Sequence, residues 1–124
     1  MERADLSRWL ADYIAAWKSY DAAAIGALFA EDISYSYRPH GDTISGRDAV
    51  VKSWIEDDPD TPGSFDAAYE PYAVDGDRAV AVGSSTYTHA DGSIRAIYDN
   101  VFLLRFDGDG LCREFVEYFI KRPD

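Results

Sequence analysis

The stretch Arg113-Glu-Phe-Val-Glu-Tyr-Phe-Ile120 sets a carboxylate between two phenylalanines. In a β-strand alternate side chains face opposite ways, so Phe115, Glu117 and Phe119 share one face. Glu114, Val116, Tyr118 and Ile120 share the other. An ionised carboxylate in an apolar wall shifts its pKa, finds a partner or stays wet. A carboxyl raised toward neutral pH can shuttle a proton. A partnered one holds structure instead, and Tyr13, Tyr35 and Arg113 are the partners at hand, or the position is an edge open to water. The strand 97–106 offers complementary chemistry, because Tyr98, Asn100, Phe102, Leu104 and Phe106 lie on one of its faces. Phenol hydroxyls and a carboxamide can donate to an oxygen on which charge develops.

Other chemistries fall away. His40 and His89 sit in loop sequences, and with Cys112 they are too scattered for a zinc site. Asp107-Gly-Asp-Gly110 lacks the ligand spacing and final glutamate of a calcium loop and reads as a hairpin turn. No glycine-rich phosphate loop follows a strand, and no serine-centred nucleophile elbow appears. Acid/base chemistry without a cofactor is what remains.

The elements that must position these residues are legible in part. Leu6, Trp9, Leu10, Tyr13, Ile14 and Trp17 recur at helical spacing, with Arg8, Asp12 and Lys18 opposite, which predicts an amphipathic helix. Asp21 is placed to cap a second helix carrying Ile25, Leu28 and Phe29. A strand of alternating aromatics, Ile33–Arg38, is ended by Pro39. Ser45 and Asp48 fit a capping box for a third helix bearing Val50, Val51 and Trp54. The run from Glu56 to Gly63 breaks that helix and reads as an exposed acidic loop. Beyond it, Asp75-Gly76, Asp91-Gly92 and Asp107–Gly110 are turn signals between strands near 65–74, 78–88, 94–106 and 111–120. Helices first and sheet second, with no repeat or linker, predict one α+β domain over residues 1–124. Trp9, Phe29 and Phe106 are assigned to its core.

Strand 97–106 is apolar on both faces, since Ile97, Val101 and Leu103 oppose the face described above. A sheet covered by helices on one side should be polar on the other. A homodimer through the convex face is therefore expected, with Asp99 ion-paired to Arg95 or Arg105 there.

Composition narrows the partners. The 124 residues carry a formal net charge of −11, which repels phosphate backbones and anionic lipid. Neither nucleic acid nor membrane is an expected partner. The single cysteine allows no internal disulfide and reads as a buried, inert thiol. The first residues, MERADLSRW, lack the apolar run of a leader peptide, so a cytoplasmic location is expected.

The order of "YDAAAIGALFAED", "SGRDAVVKSW", "PYAVDGDRAVAVGSSTY" and "YDNVFLLRFDGDGLCREFVEYF" after a long first helix resembles the nuclear transport factor 2-like superfamily, in particular its SnoaL-like branch. The resemblance spans nearly the whole chain and rests on segment order, not on one motif. It implies a cystatin-like α+β cone, a curved antiparallel sheet wrapped around three N-terminal helices with a pocket at one end. Ketosteroid isomerases, polyketide cyclases, scytalone dehydratase, limonene epoxide hydrolase and non-catalytic binding proteins share that fold, which does not choose among them.

By the same resemblance, Tyr13 takes the place of an oxyanion-stabilising tyrosine and Trp54 that of its supporting tyrosine. The isomerase aspartates are replaced, one by Tyr37 or Arg38 and one by Phe102, so steroid isomerisation by the same residues does not carry over. Glu117 takes the place of a cyclase acid/base carboxylate after Gly110, while that branch's histidine has no counterpart. The expected site thus has Glu117 moving a proton and Tyr13, Tyr37 and Asn100 orienting oxygen atoms. Trp17, Tyr35, Trp54, Tyr98, Phe102, Phe115 and Phe119 form its binding walls. The expected activity is that of a lyase, isomerase or cyclase on a small apolar molecule bearing a carbonyl or hydroxyl group; the alternative is a non-catalytic small-molecule-binding or accessory domain in which Glu117 only orients the ligand.

Overall fold

The helical spacing of Leu6, Trp9, Leu10, Tyr13 and Ala16 becomes the buried face of α1, Arg3–Ser19. Its first turn is closed by Asp5, whose carboxylate accepts the Glu2 N–H at 2.8 Å. A computed structural model describes residues 1–38, 40–57 and 60–124. After α1 come α2 (Ala22–Gly26), β1 (Phe29–Ser36), β2 (Thr43–Ser45) and α3 (Arg47–Lys52), which runs into a π-helical turn, Ser53–Asp57. Four long strands follow: β3 (Phe65–Asp75), β4 (Arg78–Thr88), β5 (Ile94–Phe106) and β6 (Cys112–Lys121).

The six strands form one curved, unclosed sheet in the order β2-β1-β6-β5-β4-β3. All pairs are antiparallel except β1 with β6, which run parallel, so the sheet is mixed. Register shifts at Pro71/Ala73, Tyr87/Thr88 and Arg105/Phe106 mark irregularities of the kind that bend strands. The helices fill the concave side. There Leu6, Leu10, Phe29, Ile33, Tyr35, Phe102 and Phe115 are almost wholly buried. Each such side chain stabilises the fold by roughly 1.5–3 kcal/mol. Trp9, Phe29 and Phe106 lie in this core, with Trp9 edge-on to both phenylalanines. The Cys112 thiol is buried, and burial pushes its pKa up. No helix among the described residues is long and apolar enough to cross a membrane.

Four expectations are corrected. Leu28 and Phe29 do not belong to α2, because the Leu28 carbonyl is taken by the Trp9 indole at 3.1 Å and the Cys112 N–H at 3.0 Å. Phe29 instead opens β1, facing Cys112. That strand ends at Ser36, with Tyr37 and Arg38 in a bend; the expected stop, Pro39, lies outside the described residues. The third helix has no Ser45 cap. Ser45 is committed to the β1–β2 ladder, and Gly46 stands at the N-cap with φ 91°, its N–H on the Ile33 carbonyl at 2.8 Å. Asp99 pairs with neither Arg95 nor Arg105, which lie roughly 13 and 20 Å along an extended strand. Its partner is Arg122, at 2.7 Å.

Candidate functional site

Glu117 lies on β6 directly opposite Phe102 of β5, on the concave face with Phe115. Asn100, one alternation along β5, donates its Nδ2 to Glu117 Oε2 at 2.7 Å. Ser85 of β4 donates to Asn100 Oδ1 at 3.1 Å. A hydroxyl thus fixes an amide, and the amide holds a carboxylate. Glu117 has no counter-ion in this relay, and burial pushes its carboxyl up to about 7 against the opposing pull of the Asn100 hydrogen bond.

Above the relay is a part-enclosed cavity of about 170 Å³. It is lined by Tyr13 and Trp17 from α1, Tyr35 from β1, Tyr37 after it, and Trp54 from the π-helical turn. Tyr69, Ser85, Tyr87, Glu117 and Asp60 complete the wall. Tyr13 and Tyr35 stack on Phe115, with centroids 5.7 and 4.3 Å from it, which brings their hydroxyls near one another. Burial, and after it the neighbouring charges of Glu117 for Tyr13 and of Tyr13 for Tyr35, raises both phenols far above their ordinary range. Burial also leads the rise at Tyr69 and Tyr87. These four are neutral hydrogen-bond donors near neutral pH.

Of the expected residues, Glu117, Tyr13, Tyr37, Trp17, Tyr35 and Trp54 meet at this cavity. Asn100 is 4% exposed and acts from beneath, through Glu117. Phe102 and Phe115 are also buried, forming the floor under Tyr13 and not the lining itself. Tyr98 and Phe119 stand outside the lining, where Tyr98 meets Tyr87 and Phe119 edge-on at 5.7 and 5.9 Å. His40 and His89 are exposed.

Four lining residues were not foreseen. Tyr69, Ser85 and Tyr87 follow from strand alternation on β3 and β4, the signal that exposed Glu117. Gly83 permits the close approach of β3 here: a Cβ there would come within 2.0 Å of the Ala68 carbonyl oxygen and 2.7 Å of the Tyr69 ring. Tyr69 can then lie over Phe102 at 4.6 Å. Asp60 overturns part of the exposed acidic loop. Its carboxylate accepts from Trp17 Nε1 at 3.0 Å, and its backbone carbonyl accepts from the Tyr20 hydroxyl. Glu56 and Asp57 belong to the π-helical turn, and Asp58 and Pro59 lie outside the described residues.

Four larger hollows, of about 680, 740, 480 and 330 Å³, lie elsewhere on the surface. None of them is lined by a carboxyl whose pKa burial raises, so the smaller Glu117 cavity is the candidate site. Among the described residues no three His, Cys, Asp or Glu side chains gather as a metal site requires.

A curved sheet folded over helices, with a carboxyl and phenols in the hollow, defines an α+β cone protein with a small-molecule-sized cavity. The SnoaL-like domain model matches residues 10–115, and the chain belongs to that family. No curated protein sequence matches the chain. Among solved structures, an LEH-like epoxide hydrolase from M. tuberculosis superposes with a TM-score of 0.70 at 15% identity, covering 97% of this chain and 86% of that one. An NTF2-like protein of unknown function from Burkholderia pseudomallei gives 0.69 at 20% identity, covering 97% and 92%. A ketosteroid isomerase-like protein from Erwinia carotovora gives 0.65 at 21% identity, covering 98% of both chains. At such identities the likeness is one of fold.

Proposed function

We propose that this chain is a cofactor-independent acid/base enzyme of the lyase, isomerase or cyclase type. Its substrate is a small, largely apolar molecule bearing a carbonyl or hydroxyl group. The observation that carries this reading is Glu117, a desolvated carboxyl facing an aromatic cavity with a pKa of about 7. Such a group exists in both protonation states at neutral pH, as a proton shuttle must. It takes a proton from carbon beside the carbonyl and returns it elsewhere on the substrate, or to a leaving oxygen. The hydroxyls of Tyr13 and Tyr37 donate to the substrate oxygen as negative charge builds there. Asn100 acts at one remove, by orienting Glu117. The cavity is below the roughly 300 Å³ of usual ligand pockets, which suits a molecule of about one ring.

The test is Glu117→Gln, which keeps the shape and removes the acid. Turnover should fall by at least about two orders of magnitude while substrate affinity holds and the melting temperature does not fall. A stable, binding-competent variant with undiminished turnover ends the case for Glu117 as catalyst. Binding by the wild type without turnover of any carbonyl or hydroxyl compound supports a binding or accessory domain instead.

We further propose that two copies pair through the convex face. Val101 and Leu103 are exposed there and face Val82 and Val80 on one side, Tyr118 and Val116 on the other. This apolar strip crosses three strands. Leu103→Glu should convert a sedimenting dimer to a monomer, and a wild-type monomer at micromolar concentration overturns the pairing.

A further inference from the structure

The aromatic wall of the Glu117 cavity continues past the cavity itself. Tyr87 lines the cavity and meets Tyr98 edge-on at 5.7 Å, and Tyr98 meets Phe119 in the same way at 5.9 Å. Phe119 stands two residues past Glu117 on β6, hence on the same face, yet it is 44% exposed. An aromatic shelf therefore runs outward from the cavity wall, available to a ligand longer than the cavity.

Two cations flank that shelf. The Arg95 guanidinium carbon lies 5.3 Å from the Tyr87 ring centre. Lys121 is the cross-strand partner of Tyr98, and directly opposed residues share a face. Both are exposed, and among the described residues neither forms an ion pair. By contrast Arg8, Lys18, Lys52, Arg105, Arg113 and Arg122 each take a carboxylate. A guanidinium held over a ring keeps its planar fork of donors for a carboxylate, and an ammonium adds a point charge. In the field of a chain with a formal net charge of −11, the single charge of a carboxylate costs less than the two of a phosphate ester. Lys121 is four residues past Glu117, about 13 Å along an extended strand. The long stems of Lys121 and Arg95 shorten that gap without closing it, so the acid must stand several bonds from a ring in the cavity.

We propose that the shelf is a second subsite of the ligand cavity, where Arg95 and Lys121 hold a carboxylate that the substrate carries on a short chain beyond its reacting ring. This rests on the cavity being the ligand site, and it narrows the substrate class to cyclic carbonyl or hydroxyl compounds with a pendant carboxylic acid. The ring enters the cavity, since a cavity of about 150 Å³ holds benzene. The chain lies along Tyr98 and Phe119, whose rings cover its methylenes.

Three compounds test it: phenylbutyrate, its neutral counterpart phenylbutanol, and benzoate, whose acid sits directly on the ring. Each is titrated near neutral pH into isotope-labelled protein. The indole N–H signals of Trp17 and Trp54 report on the cavity, and the backbone amides of Phe119 and Lys121 report on the shelf. Phenylbutyrate is expected to move both sets and to bind at least about fivefold more tightly than either phenylbutanol or benzoate. Arg95→Gln and Lys121→Gln should each lower the acid-to-alcohol affinity ratio several-fold. Arg78→Gln removes another exposed arginine, about 30 Å along β4 from Tyr87, and should leave the ratio unchanged, which separates local pairing from net charge. An alcohol or a benzoate that binds as well as phenylbutyrate overturns the acid subsite and leaves the cavity as a ligand site. So does a ratio that both Arg95→Gln and Lys121→Gln leave unchanged. Movement of one set of signals without the other overturns the joining of shelf to cavity. Silence of both sets with all three compounds overturns the subsite and the cavity together.

Discussion

Asp99 and Asn100 are neighbours on β5, yet the carboxyls on their two faces of the sheet behave oppositely. On the convex face Asp99 takes the Arg122 guanidinium through contacts of 2.7 to 3.1 Å, and the hydrogen bonds and charge of Arg122 hold its pKa below the usual range. On the concave face Glu117 takes the Asn100 amide, and burial drives its pKa up to about 7. One residue along a strand moves a side chain from water to an aromatic hollow. A neutral dipole under desolvation leaves a carboxyl poised to trade protons, where a cation in water leaves one fixed as an anion. The convex carboxyl is bound for structure; the concave one is available for chemistry.

The largest effect should come from breaking the wall that creates this difference. Tyr35 is 1% exposed, stacked on Phe115 and edge-on to Phe29 and Trp54. Tyr35→Ala should cost about 3–5 kcal/mol in urea unfolding, the usual range for a large buried aromatic. Tyr72, on the same sheet but 70% exposed, should change stability by less than about 0.5 kcal/mol as Tyr72→Ala. Equal costs would mean that the two faces do not differ as described.

How much of this contrast could be read beforehand depended on how local its causes are. Glu117 was legible because strand alternation is a two-residue rule and its flanking phenylalanines declare a face. The α1 stripe and the three glycine turns were legible for the same reason. The boundary at Leu28 and Phe29 was not, because the Cys112 N–H and the Trp9 indole decide it from remote positions. Strand β2 is three residues long and has no buried alternation to announce it. Tyr69, Ser85 and Tyr87 obey the same alternation as Glu117, but a hydroxyl on a strand looks alike whether it meets water or a cavity. Asp60 looked like any solvated acid until the fold brought Trp17 to it. The concave face was read through its phenylalanines, and its polar relay needed coordinates.

The next effect is a pH dependence of opposite sign on the two faces. Glu117 rises from an ordinary 4.5 to about 7 in the folded state. The folded chain therefore holds this proton over a window in which the unfolded chain has lost it. Its contribution is complete below the unfolded value and disappears as pH rises through the folded one. The loss across that window should be about 3 kcal/mol, at the order-of-magnitude level. Glu117→Gln should abolish it, giving a flatter curve between mildly acidic and neutral pH. Asp99 works the other way: its lowered pKa stabilises the fold above the usual carboxylate range and loses that contribution as acid protonates it. Urea midpoints across the pH range for wild type, Glu117→Gln and Asp99→Asn resolve the two signs. A wild-type curve that rises from mildly acidic to neutral pH and flattens only in Asp99→Asn would reverse the reading.

The smallest effect isolates the relay itself. Ser85 donates to Asn100 Oδ1, so the amide must present its N–H to Glu117, an arrangement that favours the ionised carboxyl. Without the Ser85 hydroxyl, that amide oxygen loses its donor and nothing fixes which end of the amide meets the acid. Asn100 can then turn its oxygen toward a protonated Glu117 and accept a hydrogen bond from it. Both consequences favour the neutral form, so Ser85→Ala should move the Glu117 pKa further up. Titration of the Glu117 carboxyl carbon by NMR in the two proteins measures this directly, and Asp99 serves as an internal reference whose midpoint should stay put. A Glu117 midpoint that is unchanged or lower shows that Asn100 keeps its orientation without Ser85. Tyr69 and Tyr87, which lie within hydrogen-bond reach of Ser85, are then the groups that hold the relay.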